Sequence, residues 1–269
     1  MEPLGFKPKL SNTVYSLFLG YFANLAIPRI GEITRCGALA SVEKVPFNSL
    51  IGTVIVERVI DLIMLFVTIT LVAILEFDLL SSFLLEKVIN PLLGNMDLTE
   101  KGLLLLGGLV LTLIIYLAVR KFLSGKNGDS PLKIKIRGIL HEVASGLKSV
   151  LRMKKNGWFI FHTFFIWFIY FLMTWVCFFC LESTSHLDVK AGLFILVVGG
   201  LGMSAPVQGG IGAFHYIVSQ GLQLFDVSST DGIVYATLVH TTQTLLVIVL
   251  GLYAMLMLFL VRKKNKGDG

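Results

Sequence analysis

Charged residues are scarce in this chain. Asp, Glu, Lys and Arg make up 15% of its 269 residues, against about 25% in soluble domains. Hydrophobic residues make up 55%, and the mean hydropathy is +0.82, which excludes an ordinary soluble domain. The apolar residues form blocks of about 20, the length that a helix needs to cross a bilayer, and the strand alternation of membrane barrels is absent. The sequence therefore predicts an all-α, polytopic membrane protein with a single transmembrane domain over residues 1–269.

Cysteine is also rare, and this limits how the chain is stabilised. Its three cysteines, Cys36, Cys177 and Cys180, are too few for a disulfide framework. Cys177 and Cys180 lie in an apolar block without the further ligands that zinc requires, so no metal and no other cofactor is expected. The net charge of +6 comes from a few basic loops, as in cytoplasmic loops of membrane proteins. This distribution argues against nucleic acid as a partner.

Four apolar blocks are predicted to be complete spans, and two others are interrupted. Each interrupted block is 32–34 residues long, whereas two spans and a turn would need more than about 40. Each is therefore predicted to be a re-entrant hairpin of two half-helices, broken where proline and glycine disfavour a continuous helix. The predicted spans are 48–76, 103–120, 157–180 and 232–260; the hairpins are 11–42, broken at Pro28 and Gly31, and 191–224, broken at Pro206, Gly209, Gly210 and Gly212.

The distribution of basic residues predicts the topology. Residues 120–156 hold ten Lys and Arg, and the C-terminal tail is also basic, so both are predicted to be cytoplasmic. The acidic stretch 76–101 is predicted to be external. The two hairpins then enter from opposite sides, as in the inverted repeats of secondary transporters. Because no span precedes the first hairpin, we expect N-terminal helices to be missing from the chain.

The basic segment 126–156 has a pattern of its own. Apolar residues recur there at helical spacing and are surrounded by Lys and Arg. This pattern predicts an amphipathic helix on the inner leaflet; the alternative is a plain cytoplasmic linker.

The first candidate site lies at the break of the first hairpin. It comprises Asn24, Arg29, Glu32 and Arg35, in which the charged residues follow one another at intervals of three and fit one helical face. Charges inside an apolar block line a cavity or pair with one another. The planar guanidinium group of arginine suits a phosphate, here that of a lipid. The alternative is an internal ion-pair cluster that holds the hairpin together.

The second candidate site lies near the start of the next span. Glu57 and Asp61 are four residues apart, and Arg58 can pair with Asp61. If the span begins at residue 48, Glu57 lies about 14 Å along the helix and deep in the membrane. If the span begins later, the three charges lie at the interface and are structural.

The third candidate site is the break of the second hairpin, which begins with Pro206, includes Gln208 and ends at His215. Glycine allows close approach of the backbone, and a half-helix start can hold an anion. His215 can titrate near neutral pH. Close helix packing alone is the alternative explanation for the glycines.

These three motifs, in this order, resemble the membrane region of lysylphosphatidylglycerol synthases and the stand-alone membrane proteins related to it. The resemblance covers residues 10–260. It implies a protein that translocates aminoacylated phospholipid between leaflets of a bacterial-type inner membrane, and it implies a separate soluble domain or enzyme for aminoacyl transfer. At the second break this chain has Gln208 and His215, where the family often has proline and an acidic residue.

The hypothesis that combines these observations is a flippase-like lipid transporter. Its partners would be anionic or aminoacylated phospholipids, with the candidate residues lining a polar cavity between the hairpins. A membrane-embedded enzyme acting on a lipid phosphate or polyprenyl carrier is the first alternative, with His215 as its base, although no recognised catalytic motif surrounds that residue. A membrane scaffold that recruits a partner through residues 126–156 is the second. The sequence does not indicate an oligomeric state.

Overall fold

The computed structural model describes residues 5–90, 99, 102, 106–107, 156–205 and 207–267. Within these ranges the regular structure is helical and contains no strand, which confirms the predicted all-α class. The predicted span 103–120 (apart from residues 106 and 107), the basic segment 126–156 up to its last residue, and Pro206 lie outside the described residues.

The first predicted hairpin is a pair of antiparallel helices, α1 (Leu10–Ala26) and α2 (Gly31–Glu43), joined by the turn 27–30. At the open end of the pair, which we call its base, the amide of Asn12 donates to a carboxylate oxygen of Glu43 at 2.5 Å. Near the closed end, which we call its tip, the backbones of Gly20 and Gly31 are in close contact. Small residues permit such close helix packing.

Replacing Gly31 with alanine should separate α1 from α2. A Cβ at this position would overlap the carbonyl oxygen of Gly20, so the backbones must move apart. Such overpacking costs about 1–3 kcal/mol, and the midpoint of thermal unfolding in detergent should fall. Gly37→Ala is the matched control, because a Cβ there has no neighbour within 4 Å. Equal midpoints for the two variants would contradict the close packing of α1 and α2.

Three helices in the described ranges are long and apolar enough to cross a membrane. The first is α3 (Phe47–Leu75). The second is α5 (Asn156–Cys177), extended by a 3₁₀ turn at Phe178–Cys180. The third is the last helix of the chain, described below. They occupy three of the four segments predicted as spans.

Part of the stretch predicted to be external, 76–101, is a packed helix. Helix α4 (Phe77–Phe83) follows α3 directly and continues as a π-helical turn, Leu84–Ile89. Phe83 is 1% exposed, and its ring lies 5.5 Å from that of Phe194 in an edge-to-face arrangement. Burial of Phe83 therefore packs this segment against the rest of the described structure.

The second predicted hairpin is also an antiparallel pair, α6 (Val189–Ser204) and α7 (Ala213–Leu222). Gly202 lies against Ala213 and Phe214 near the tip, and Gly221 lies against Ile195 near the base. A 3₁₀ turn, Gln223–Phe225, follows α7, and the long helix α8 (Ser229–Gly267) then completes the described chain.

The bases of the two hairpins lie at opposite ends of both α3 and α8. Three residues separate the end of α2 from the start of α3, at the base of the first hairpin. At the far end of α3, Glu76 pairs with Lys190 at the base of the second hairpin, at 2.7 Å. Helix α8 starts beside the base of the second hairpin, where the hydroxyl of Ser219 donates to the carbonyl of Ser229 at 3.0 Å. At its other end, Asn265 donates to the carbonyl of Val42 at 3.1 Å, at the base of the first. The two hairpins therefore point toward each other.

Helix α3 packs against the second hairpin, and helix α8 packs against the first. Val72 of α3 belongs to a buried apolar cluster with Phe194 of α6, and Leu258 of α8 belongs to a second cluster with Cys36 of α2. Each long helix also packs against its own preceding hairpin, with Val54 of α3 in the second cluster and Tyr235 of α8 in the first. The two halves consequently form one packed unit.

Candidate functional site

The tip of the first hairpin is a turn that contains strained backbone. Pro28 cannot supply the amide that a continuous helix needs, and Arg29 has a φ of 63°, a region that side chains other than glycine adopt at a cost. The side chain of Asn24 accepts a hydrogen bond from the backbone amide of Gly31 at 2.6 Å and so caps the first turn of α2. Arg29 therefore lies outside α2, and the prediction that it shares a helical face with Glu32 and Arg35 is wrong.

A chain of ion pairs joins α2 to α3. Arg35 pairs with one carboxylate oxygen of Glu57 at 2.7 Å, and Arg58 pairs with the other at 2.5 Å. Arg58 also pairs with Asp61 at 3.1 Å, as the spacing predicts. We call these four residues the ion-pair chain. The first two candidate sites of the sequence are thus one site, with Glu57 at its centre.

The ion-pair chain is partly exposed even though three of its four members lie within the apolar helix α3. The side chain of Arg35 is 16% exposed, whereas those of Glu57 and Asp61 are 43% exposed and that of Arg58 is 54% exposed. Glu57 is the eleventh residue of α3, about 15 Å from the helix start. Charged groups at such a position require water, a polar headgroup or protein around them, because hydrocarbon cannot solvate them.

Three further residues extend the polar character of this region. One carboxylate oxygen of Glu32 is enclosed, and no group of the described residues donates a hydrogen bond to it. Tyr21 of α1 and Tyr170 of α5 lie near enough to interact electrostatically with the charges of Glu57 and Asp61. The tyrosines were not among the residues predicted from the sequence, because their only signal is a polar hydroxyl in an otherwise apolar helix.

The tip of the second hairpin contacts the tip of the first. The side-chain amide of Gln208 donates to the backbone carbonyls of Leu25 at 3.0 Å and Ala26 at 2.7 Å. These two carbonyls belong to the last turn of α1, where no helical partner follows. We call this contact the tip bridge. It joins residues more than 180 positions apart in the chain.

The glycines of the second tip are required by its backbone conformation. Gly209, Gly210 and Gly212 have φ values of 59°, 77° and 83°, which glycine adopts without a steric penalty. Turn formation is therefore sufficient to explain them.

Two histidines pack beside this tip. His240 of α8, 7% exposed, hydrogen bonds through Nε2 to the carbonyl of Gly209 at 2.8 Å. The ring of His215 lies 4.9 Å from that of His240, and its Nδ1 lies 3.4 Å from the backbone nitrogen of Gly212. His240, which the sequence analysis missed, holds the tip to α8. Among the described residues, no three His, Cys, Asp or Glu side chains are placed to hold a metal ion.

The described structure defines a class of protein. Three helices are long and apolar enough to span a bilayer, and a network of charged residues lies beside two facing hairpins, so the chain is a polytopic helical membrane protein. It belongs to the family of the lysylphosphatidylglycerol synthase transmembrane region, whose model matches residues 1–251, which confirms the resemblance found in the sequence. No curated protein and no solved structure matches the chain.

Proposed function

We propose that the protein moves an anionic phospholipid, or another lipid-linked anion, between the leaflets of a membrane. Arg29, Arg35 and Arg58 would hold the headgroup phosphate, since guanidinium groups form paired hydrogen bonds with phosphate oxygens. Glu32, Glu57 and Asp61 would balance the charge or bind a cationic headgroup such as an aminoacyl group. Family membership supports a membrane protein that acts on lipids; transport is the step that we add.

The observation that carries the proposal is the partly exposed ion-pair chain in the middle of an apolar helix. Bare contact with acyl chains would be prohibitively costly for Glu57 and Asp61. A passage that admits water and lipid headgroups removes this cost and places the charges where a headgroup would cross. This function requires the exposure, because a lipid headgroup must be able to reach the charges.

The arrangement of the hairpins supports the same proposal. Their bases lie at opposite ends of α3 and α8, and their tips meet near the middle of α8, between His240 and Gly251, which contact Gly209 and Phe22 respectively. If α3 and α8 span the bilayer, each hairpin is re-entrant and ends near the midplane. Oppositely oriented repeats that meet at the midplane allow alternating access by rocking.

A lipid exchange assay tests this function. The purified protein is reconstituted into phosphatidylcholine liposomes that contain a trace of fluorescent phosphatidylglycerol, and dithionite is added to bleach the outer leaflet. Transport should make inner-leaflet probe accessible, so that bleaching goes well beyond the level of protein-free liposomes. Bleaching that stops at that level, with the protein shown to be inserted and folded, would refute the proposal.

A further inference from the structure

A second surface, on the opposite side of α2 from its buried face, forms a groove. The groove has a volume of about 540 Å³ and lies between α1, α2 and the C-terminal part of α8. Its lining is mostly apolar, with Leu19 from α1, Gly37 and Ala38 from α2, and Leu258 and Phe259 from α8. Arg35 and Glu57 are not part of it, so the groove is distinct from the ion-pair chain.

One end of the groove is cationic. Arg262 of α8 is part of the lining, its side chain is exposed, and no acidic side chain of the described residues pairs with it. Ser41, on the last turns of α2, is part of the same lining, and its hydroxyl donates to the carbonyl of Ala38 at 2.7 Å. Lys263 and Lys264 follow Arg262 directly and end the apolar part of α8. The cationic end therefore lies where α8 leaves the apolar layer, which is the depth of lipid phosphates.

The walls of the groove are held in place at this end. The side chain of Asn265 donates to the carbonyl of Val42 at 3.1 Å and ties α8 to α2. Leu258, which lines the groove, also packs with Cys36 in a buried apolar cluster, and the two side chains are 6% and 2% exposed. A cavity between fixed walls is largely formed before its ligand arrives, which lowers the entropic cost of binding.

We propose that this groove binds one anionic phospholipid, whose acyl chain lies between α2 and α8 and whose phosphate pairs with Arg262. The apolar lining matches an acyl chain, and the single cation at one end matches a phosphate. A guanidinium–phosphate pair is a strong, charge-assisted contact. The site does not depend on the transport proposal, because a lipid that stays in place would stabilise the fold of a protein that transports nothing.

The size of the groove favours a lipid chain over a protein helix. A helix with its side chains is about 10–12 Å across, so it would fill this volume with less than two turns. A small-residue surface such as that of Gly37 and Ser41 can also receive a helix, yet a stable helix contact would extend well beyond two turns. A single acyl chain is much thinner and can follow the groove along several turns of α2.

Two pairs of variants test the lipid site. In native mass spectrometry of the full chain in detergent, titrated with phosphatidylglycerol, Arg262→Gln should weaken binding about tenfold, the loss of one charge-assisted contact. Lys263→Gln is its control, since the adjacent residue points about 100° away around the helix and is not part of the lining.

Gly37→Leu should remove the bound lipid by filling the groove. Gly52→Leu is the control for that change, because a Cβ at either glycine has no neighbour within 4 Å.

A photoactivatable phosphatidylglycerol, with the reactive group on its acyl chain, locates the lipid directly. In liposomes the label should concentrate on Leu258, Phe259 and the facing residues of α2, and Gly37→Leu should displace it. Equal weakening by Arg262→Gln and Lys263→Gln would show a diffuse attraction to anionic lipid and overturn the proposal. A dimer that Gly37→Leu dissociates would overturn it too, since a second copy of the chain would then be the occupant.

Discussion

Replacing Glu57 with glutamine should reduce lipid exchange to the level of protein-free liposomes and increase the anionic phospholipid that co-purifies with the protein. Glu57 neutralises Arg35 at 2.7 Å and Arg58 at 2.5 Å. The amide preserves the shape of the side chain and removes its charge. Arg35 then has no acidic partner in the ion-pair chain, and Arg58 keeps only its pair with Asp61. The two guanidinium groups should therefore hold a phosphate more tightly and release it more slowly. Exchange is measured by dithionite bleaching, and bound lipid is measured by mass spectrometry of the purified protein.

Glu76→Gln is the matched control for this experiment. It is the same substitution near the other end of α3, and it also breaks an ion pair, with Lys190 at 2.7 Å. That pair joins α3 to the base of the second hairpin and lies away from the tips. Exchange by Glu76→Gln should remain close to that of the unaltered protein, and its co-purified lipid should not rise.

The two measurements separate transport from folding. If Glu57→Gln merely destabilised the protein, exchange and bound lipid would fall together, and the thermal midpoint in detergent would drop. Because the side chain of Glu57 is 43% exposed, we expect the effect on stability to be small. Unchanged exchange by Glu57→Gln would show that the ion-pair chain has no part in transport.

Local features of the sequence were sufficient to predict the three long helices and the two turns. Apolar length identifies α3, α5 and α8 because hydrocarbon excludes unpaired backbone over any such stretch. Proline and glycine identify the two turns because their effects act within a few residues. The positive φ of Arg29 was not predictable, since the residue after a proline can adopt several conformations and packing of α1 on α2 selects one.

The composition of the candidate site was predicted better than its connections. Charged residues in apolar blocks drew attention to Arg35 and Glu57, but their ion pair depends on how α2 packs against α3. The sequence could relate Arg35 to Glu32 only through helical spacing. The tip bridge was even less predictable. Gln208 contacts backbone carbonyls of α1, and a backbone carbonyl is present at every residue whatever the sequence. Tyr170 and His240 were missed for the related reason that one polar residue in a long helix has many explanations.

Cross-linking the two hairpin tips should stop lipid exchange, and releasing the cross-link should restore it. The tip bridge brings Gln208 to within 2.7 Å of the carbonyl oxygen of Ala26, so cysteines at these positions can be joined by a short bifunctional methanethiosulfonate. Under the proposed mechanism the tips must separate each time the site changes its accessible side. The experiment uses a chain in which the three natural cysteines, Cys36, Cys177 and Cys180, are replaced by alanine. Exchange is compared before the reagent, after it and after reduction.

A cross-link within one hairpin provides the control. Cysteines in place of Asn12 and Glu43, whose side chains are hydrogen bonded at 2.5 Å, join α1 to α2 at the base of the first hairpin. Rocking of the two repeats leaves this distance unchanged, so exchange should continue after the same reagent. Loss of exchange in both double variants would indicate general damage by the reagent. Full exchange with the tips cross-linked would show that lipid crosses without their separation, and the alternating-access mechanism would have to be abandoned even if the protein transports lipid.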